Sequence, residues 1–352
     1  MIGKAIFFVL GTVNFALIYV YMLFVCNILP MLSILFVQPL SPGMHERLLC
    51  LTAEMAFGCI IDWSEIIGGL EVYVSGKDGA KMPGSALVMS NHVSFSDSII
   101  IHAIARRVGE LGHVRVFAKK TLAYQPVFGW FGVFLRYIFL SRSWEKDKVK
   151  IRSQLKVLAQ RASMYSTGNF WLMIFPEGTR LRPKKLKEAQ EFSKSRNLAV
   201  LNNLLMPRVK GFNSALDGTR ECFDGVIDFT IGYSHWTKSG HARPSIGDIM
   251  FGGMKKWPIQ VHMQYYPIKE VPEGEEAVQK WLRDVWVEKD KLLDEFKKTN
   301  KFPGELRTFD KRPAWHMARL HATLMLMSVV ICCLCYLAFS ASWSVASKQL
   351  KL

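Results

Sequence analysis

Asn91-His92-Val93-Ser94-Phe95-Ser96-Asp97 sets an imidazole and a carboxylate five positions apart, directly after the apolar run Ala86–Ser90. On a continuous helix the two side chains would point about 140° apart, at about 100° per residue. On a continuous strand they would face opposite sides. They meet only across a strand-to-helix turn, which Ser94 and Ser96 are suited to cap. There Asp97 would accept the proton of one ring nitrogen and leave the other free as a base. A capped helix start is the plainer reading of the same residues. Downstream, Phe175-Pro176-Glu177-Gly178-Thr179-Arg180 also follows an apolar run and ends on a guanidinium suited to an anion. Alone, Pro-Glu-Gly is an ordinary turn. In an α/β sheet the loops after strand C-termini gather at one edge, so the two loops are expected to face each other.

The elements that must position them follow from apolar periodicity. Short apolar runs bounded by Gly, Pro or charge predict strands at Leu70–Val74, Ala86–Ser90, Val114–Ala118, Tyr137–Ser141, Trp171–Phe175, Val226–Gly232 and Ile259–Tyr265. Helical patterns fit Ser98–Arg107, Trp144–Ser163, Leu186–Asn197 and Glu275–Phe296. The expected fold is α/β, with a mixed or largely parallel sheet and flanking helices. Arg47–Trp63 places Leu48, Leu51, Met55 and Cys59 on one helical face suited to a bilayer surface. Leu122–Leu140 reads as a packed helix plus a strand, not as a membrane span, because Pro126, Gly129 and Arg136 interrupt it.

Apolar residues are concentrated at the two ends. No charged residue occurs from Ala5 to Met44, and Ala5–Leu29 is long enough for a membrane helix, with Pro30 expected to break it before Met31–Val37. Leu320–Ala346 is likewise free of charge and follows Lys311, Arg312 and Arg319. Cys332 and Cys335, spaced as CxxC inside this segment, read as small packing residues rather than a redox pair. The expected organisation is an N-terminal membrane anchor over 1–45, an interfacial helix and first strand over 46–84 and a catalytic domain over 85–297. A basic linker over 298–319 and a C-terminal transmembrane helix over 320–347 complete it.

The 352 residues carry 45 Lys plus Arg against 29 Asp plus Glu, a net +16 that calls for an acidic partner. Basic runs at Arg142–Arg161 and Arg180–Arg196 are not interleaved with aromatic residues, which argues against nucleic acid and for lipid or a phosphorylated substrate. No phosphate-cradling glycine loop, GxSxG elbow, HExxH or zinc-spaced Cys/His cluster occurs, so nucleotide hydrolysis, ordinary serine-esterase chemistry and zinc chemistry are all disfavoured.

Taken together, Asn91-His92 through Asp97 resembles the His-x4-Asp motif of the glycerolipid acyltransferases, and Phe175–Arg180 resembles their Phe-Pro-Glu-Gly-Thr-Arg motif. Lys119-Lys120 with Pro126, Phe128 and Gly129, then Tyr137–Trp144, are similar to the family's second motif. Glu188–Phe192, Pro207–Phe212 and Asp228–Tyr233 resemble the branch containing lysocardiolipin acyltransferase and plant-type lysophosphatidate acyltransferases. Two departures stand out. Arg136 lies near where many members carry Gly, and Asp228–Tyr233 replaces the common Val-Pro-Val/Ile fourth motif.

The resemblance implies transfer of an acyl group from acyl-CoA to the hydroxyl of lysophosphatidate at a lipid bilayer, with no metal and no cofactor beyond the co-substrate. His92 is then the general base, and Asp97 orients it. The resemblance assigns Glu177, Gly178, Thr179 and Arg180 to acceptor binding and Arg142 to the phosphate. Lys120 and Lys210 are further phosphate candidates, with a solvated surface lysine as the alternative for each. Two other functions remain open. One is remodelling of a larger head group, such as lysophosphatidylinositol or lysocardiolipin. The other is a non-catalytic adaptor for anionic lipid, disfavoured because it has no need of a base. The expected location is the endoplasmic reticulum membrane, with a mitochondrial membrane as the alternative.

Overall fold

In the computed structural model, residues 18–76, 84–141, 143–164, 169–217, 220–234 and 243–308 are described. The expected strands form with small shifts: β1 (Val72–Ser75), β2 (Ala86–Ser90), β3 (Val114–Lys119), β4 (Ile138–Leu140), β5 (Trp171–Ile174), β6 (Gly225–Tyr233) and β7 (Ile259–Pro267). A two-residue strand, β8 (Arg307–Thr308), is added from the stretch read as a linker. They make one sheet in the order β4-β3-β5-β2-β6-β7-β1-β8. All pairs are parallel except β6 with β7 and β1 with β8, so the sheet is mixed and largely parallel. Every residue of β2, β5 and β6 is buried, as expected of central strands covered on both faces. The sheet runs without a break across residue 84, because β1 pairs with β7 inside it.

The helices are α1 (Pro42–Ile66), α2 (Ser96–Arg107), α3 (Phe128–Phe134), α4 (Trp144–Met164), α5 (Pro183–Ser195), α6 (Val209–Asp217), α7 (Ile246–Met250) and α8 (Glu275–Thr299). Pro183 opens α5 at a first-turn position where its missing N–H costs nothing. α8 ends on Asn300 in the left-handed conformation, which caps it. Leu122–Leu140 contains α3 and β4, as expected, joined through Arg136 at φ +57°.

α1 is longer than the sequence suggests and docks through its acidic side. Asp62 takes a two-pronged bond from Arg106 at 2.7 and 3.1 Å, and Glu65 meets Arg107 at 2.6 Å. Glu46 is shared by Arg136, at 2.8 and 2.9 Å, and Arg161. On the face expected to lie on a bilayer, Leu51 is exposed but Cys59 is buried.

Ile18–Val37 is one helix, long and apolar enough to cross a membrane by length and composition. Pro30 does not break it. The turn just before it, Phe24–Ile28, widens to π geometry and makes room for the ring. Leu320–Ala346 and residues 1–17 lie outside the described residues. Val25–Asp310 forms one compact unit.

Candidate active site

β2, β3 and β5 run in the same direction, so their C-terminal ends open on one edge of the sheet. β2 delivers His92, β5 delivers Glu177–Arg180 and β3 ends at Lys119-Lys120, both exposed. The turn from β2 into α2 brings the two ends of the five-residue gap together. His92 Nδ1 lies 2.9 Å from Asp97 Oδ2. The same oxygen accepts the backbone N–H of Val93 at 2.6 Å and of Ser94 at 2.8 Å. Two backbone N–H groups on one oxygen favour the charged carboxylate. An acceptor-only carboxylate requires the imidazole proton to sit on Nδ1, which leaves Nε2 with its lone pair free. The imidazole stacks on Phe175, with ring centroids 4.1 Å apart and planes 18° apart.

The two loops are joined by hydrogen bonds. Leu181 N–H donates to His92 O at 2.7 Å, and Arg243 Nη1 donates to Leu181 O at 3.0 Å. Glu177 is a second link and is buried: Oε1 accepts the N–H of His92 at 3.1 Å and Oε2 that of Leu205 at 3.3 Å. With both oxygens accepting backbone N–H groups, it ties the loop after β5 to the loop after β2. Burial pushes this carboxyl up to about 8, against the two N–H bonds and the Lys289 charge, which lower it.

Gly178 follows at φ +69°, a conformation open to glycine. Its missing side chain also makes room: a Cβ there would lie 2.9 Å from Arg208 Cδ and 3.1 Å from Arg208 Nε. Arg208 is held by its N–H, which donates to Pro176 O at 2.7 Å, and it directly precedes α6. Arg180 and Arg208 are both exposed and have no ion-pair partner among the described residues. Thr179 is half-buried between Gly178 and Arg180 in the chain, and Lys210 is exposed in the first turn of α6. Arg142 lies outside the described residues, and β4 ends two positions before it.

Arg136 answers one departure noted above. Its left-handed backbone explains why glycine suits the position, and its guanidinium is taken up by Glu46. Sequence reasoning missed Arg208, Arg243 and Tyr233, whose hydroxyl donates to Asp97 Oδ1. Arg208 and Tyr233 had a signal, since they lie in the Pro207–Phe212 and Asp228–Tyr233 patterns, though the Tyr233 contact depends on strand register; Arg243 depends on loop closure.

The Acyltransferase family profile matches residues 71–231, and the Acyltransferase C-terminus profile matches 249–328. The chain is 32% identical over 296 residues to 1-acyl-sn-glycerol-3-phosphate acyltransferase 2 of Arabidopsis thaliana, covering 83% of this chain and 73% of the relative. It is 28% identical over 291 residues to human 1-acyl-sn-glycerol-3-phosphate acyltransferase gamma, covering 80% and 73%. A crystal structure of the 1-acyl-sn-glycerophosphate acyltransferase PlsC from Thermotoga maritima overlays with a TM-score of 0.42 at 17% identity, covering 82% of this chain and 98% of that one.

Proposed function

The chain belongs to the glycerolipid acyltransferase family, and from that premise we propose that it transfers a fatty acyl group from acyl-CoA to the free hydroxyl of lysophosphatidate, giving phosphatidate. The observation that carries this reading is the His92–Asp97 contact inside a loop fastened to the Glu177–Arg180 turn. A hydroxyl is a poor nucleophile at neutral pH and needs a base within hydrogen-bond reach. His92 Nε2 takes its proton as the oxygen attacks the thioester carbonyl. Asp97 stabilises the imidazolium that forms, as a buried acceptor of the Nδ1 proton. The C–S bond breaks, coenzyme A leaves as a thiolate, and the imidazolium returns its proton to that thiolate or to water. No metal and no covalent intermediate are required.

Arg180, next to Thr179 in the chain, and Arg208, packed against Gly178, have no ion-pair partner among the described residues and supply the charge-assisted donors that a phosphate monoester needs. Lys120 and Lys210 add charge at the rim, and Arg142 completes the set by family resemblance. The apolar helix Ile18–Val37 supports a membrane-bound enzyme, in the endoplasmic reticulum on the reading that its donor is cytosolic.

The test uses the full-length chain in lipid vesicles, radiolabelled oleoyl-CoA and a panel of lysophospholipids, with His92→Ala alongside. Label is expected in phosphatidate, with loss of at least about 100-fold in the variant while it stays folded and membrane-bound. Label only in phosphatidylinositol or cardiolipin species would move the acceptor assignment, and an active His92→Ala chain would remove the mechanism.

A further inference from the structure

The Asp228–Tyr233 pattern, which replaces the family's usual fourth motif, reaches the catalytic carboxylate from behind. β6 pairs with β2 as far as Ser90 opposite Phe229, then runs on for four residues beside the loop that β2 delivers. Asn91 continues the pairing with its side chain: Oδ1 accepts the N–H of Ile231 at 2.8 Å, and Nδ2 donates to Ile231 O at 3.0 Å. Two positions on, Tyr233 lies on the same side of the strand as Ile231. Its hydroxyl meets Asp97 Oδ1, and neither side chain has measurable contact with solvent.

The direction of that hydrogen bond follows from its neighbours. The Pro244 carbonyl only accepts, so Ser94 Oγ donates to it at 2.8 Å. Ser96 Oγ donates to Ser94 Oγ at 2.9 Å, which commits the Ser96 proton. Ser96 Oγ lies 3.2 Å from the Tyr233 hydroxyl and has no proton left for it. The backbone N–H groups of Val93 and Ser94 on Oδ2 favour a charged Asp97 that only accepts, so the single Tyr233 proton points at Oδ1. Burial and the Asp97 charge hold the Tyr233 phenol well above its usual range, so it remains a donor at any working pH.

We propose that Tyr233 is a positioning residue for the acyl transfer, its hydroxyl fixing Asp97 as an acceptor-only carboxylate and thereby setting the strength of His92 as a base. The inference rests on His92 being that base. A donor on Oδ1 draws charge away from Oδ2, so the imidazolium formed in the transition state is held less tightly than by a bare carboxylate. It also prevents Asp97 from taking a proton of its own, which would reverse the His92 tautomer. Removing the hydroxyl has two consequences, and both act in one direction. A more basic carboxylate either strengthens its hold on a protonated His92 or becomes protonated itself. In each case the free base is lost at a higher pH.

The experiment measures kcat and KM for lysophosphatidate and oleoyl-CoA across about pH 5.5 to 9 in the full-length chain, which brackets an unperturbed histidine. Tyr233→Phe is expected to move the acid limb of kcat and of kcat/KM to higher pH, to lower the rate by roughly 10-fold only at pH values below the shifted limb, and to keep both KM values within about 2-fold. A fluorinated tyrosine at position 233, a more acidic phenol of nearly the same shape, is expected to move that limb to lower pH. Opposite shifts of this kind are not produced by a packing role. An acid limb that stays fixed in both chains overturns the proposal. Should Tyr233→Phe fail to fold, the fluorinated chain decides alone, and a fixed limb there overturns it. Failure of the underlying reading looks different: the parent makes no phosphatidate, or His92→Ala remains active.

Discussion

The acidic residues that dock α1 and those behind the catalytic edge are equally buried but take different partners. Glu46, Asp62 and Glu65 are at most 8% exposed, and Asp97 and Glu177 at most 2%. The first group pairs with Arg136, Arg161, Arg106 and Arg107. The second group accepts backbone N–H groups of His92, Val93, Ser94 and Leu205, the Tyr233 hydroxyl and the imidazole itself. A carboxylate satisfied by dipoles does not use up a cation. At the sheet edge this leaves Arg180 and Arg208 without acidic partners, while the arginines of the helix layer serve the fold. The same residue types are thus divided by where the domain needs its positive charge.

The division is broken most severely on the structural side. Arg106→Ala leaves Asp62 buried and unpaired, which is expected to cost about 3–5 kcal/mol of stability, read as a lower urea midpoint. The fraction that remains folded should keep its kcat/KM, and a loss of specific activity there would show that α1 docking also shapes the site. On the catalytic side the expected pattern is reversed and smaller. Arg180→Ala and Arg208→Ala should each reduce kcat/KM for lysophosphatidate by roughly 10- to 100-fold, the worth of about 1.5–3 kcal/mol for a charged hydrogen bond, with unchanged melting. A fall in melting temperature with normal kinetics would mean that these arginines are structural after all.

Glu177 gives the most diagnostic signal. Its carboxyl titrates near 8 in the folded chain against an ordinary 4.5, so the folded state holds the extra proton between those limits. Stability contributed by this group therefore falls as pH rises from about 4.5 to about 8 and is level above. Glu177→Gln should flatten that slope in a plot of urea midpoint against pH. An unaltered slope would assign the titration to another group.

How much of this was legible in the sequence depends on whether a feature is local. β2 and β5 were legible because strands buried on both faces must be apolar throughout, and Ala86–Ser90 is bounded as it is found. The His92–Asp97 contact was legible because neither helix nor strand lets a five-residue gap close. α6 was hidden by Pro207 and Gly211, which read as punctuation although Pro207 merely precedes the helix. β8 has two residues and no period to detect. The burial of Glu177 was not legible, because one of its donors, Leu205, is remote in sequence. Tyr233 depends on how far β6 outruns β2, and a register is set by partners the strand itself does not name.

The ring of Phe175 against His92 constrains the traffic of protons as well as the geometry. An imidazole covered on one face and tethered at Nδ1 cannot spin in place to present its other nitrogen. The proton gained at Nε2 must therefore leave from Nε2, the nitrogen that received it. Only 19% of the His92 side chain is exposed. The base has a single port, and a bulky product lingering there would stop the next cycle before any bond is made.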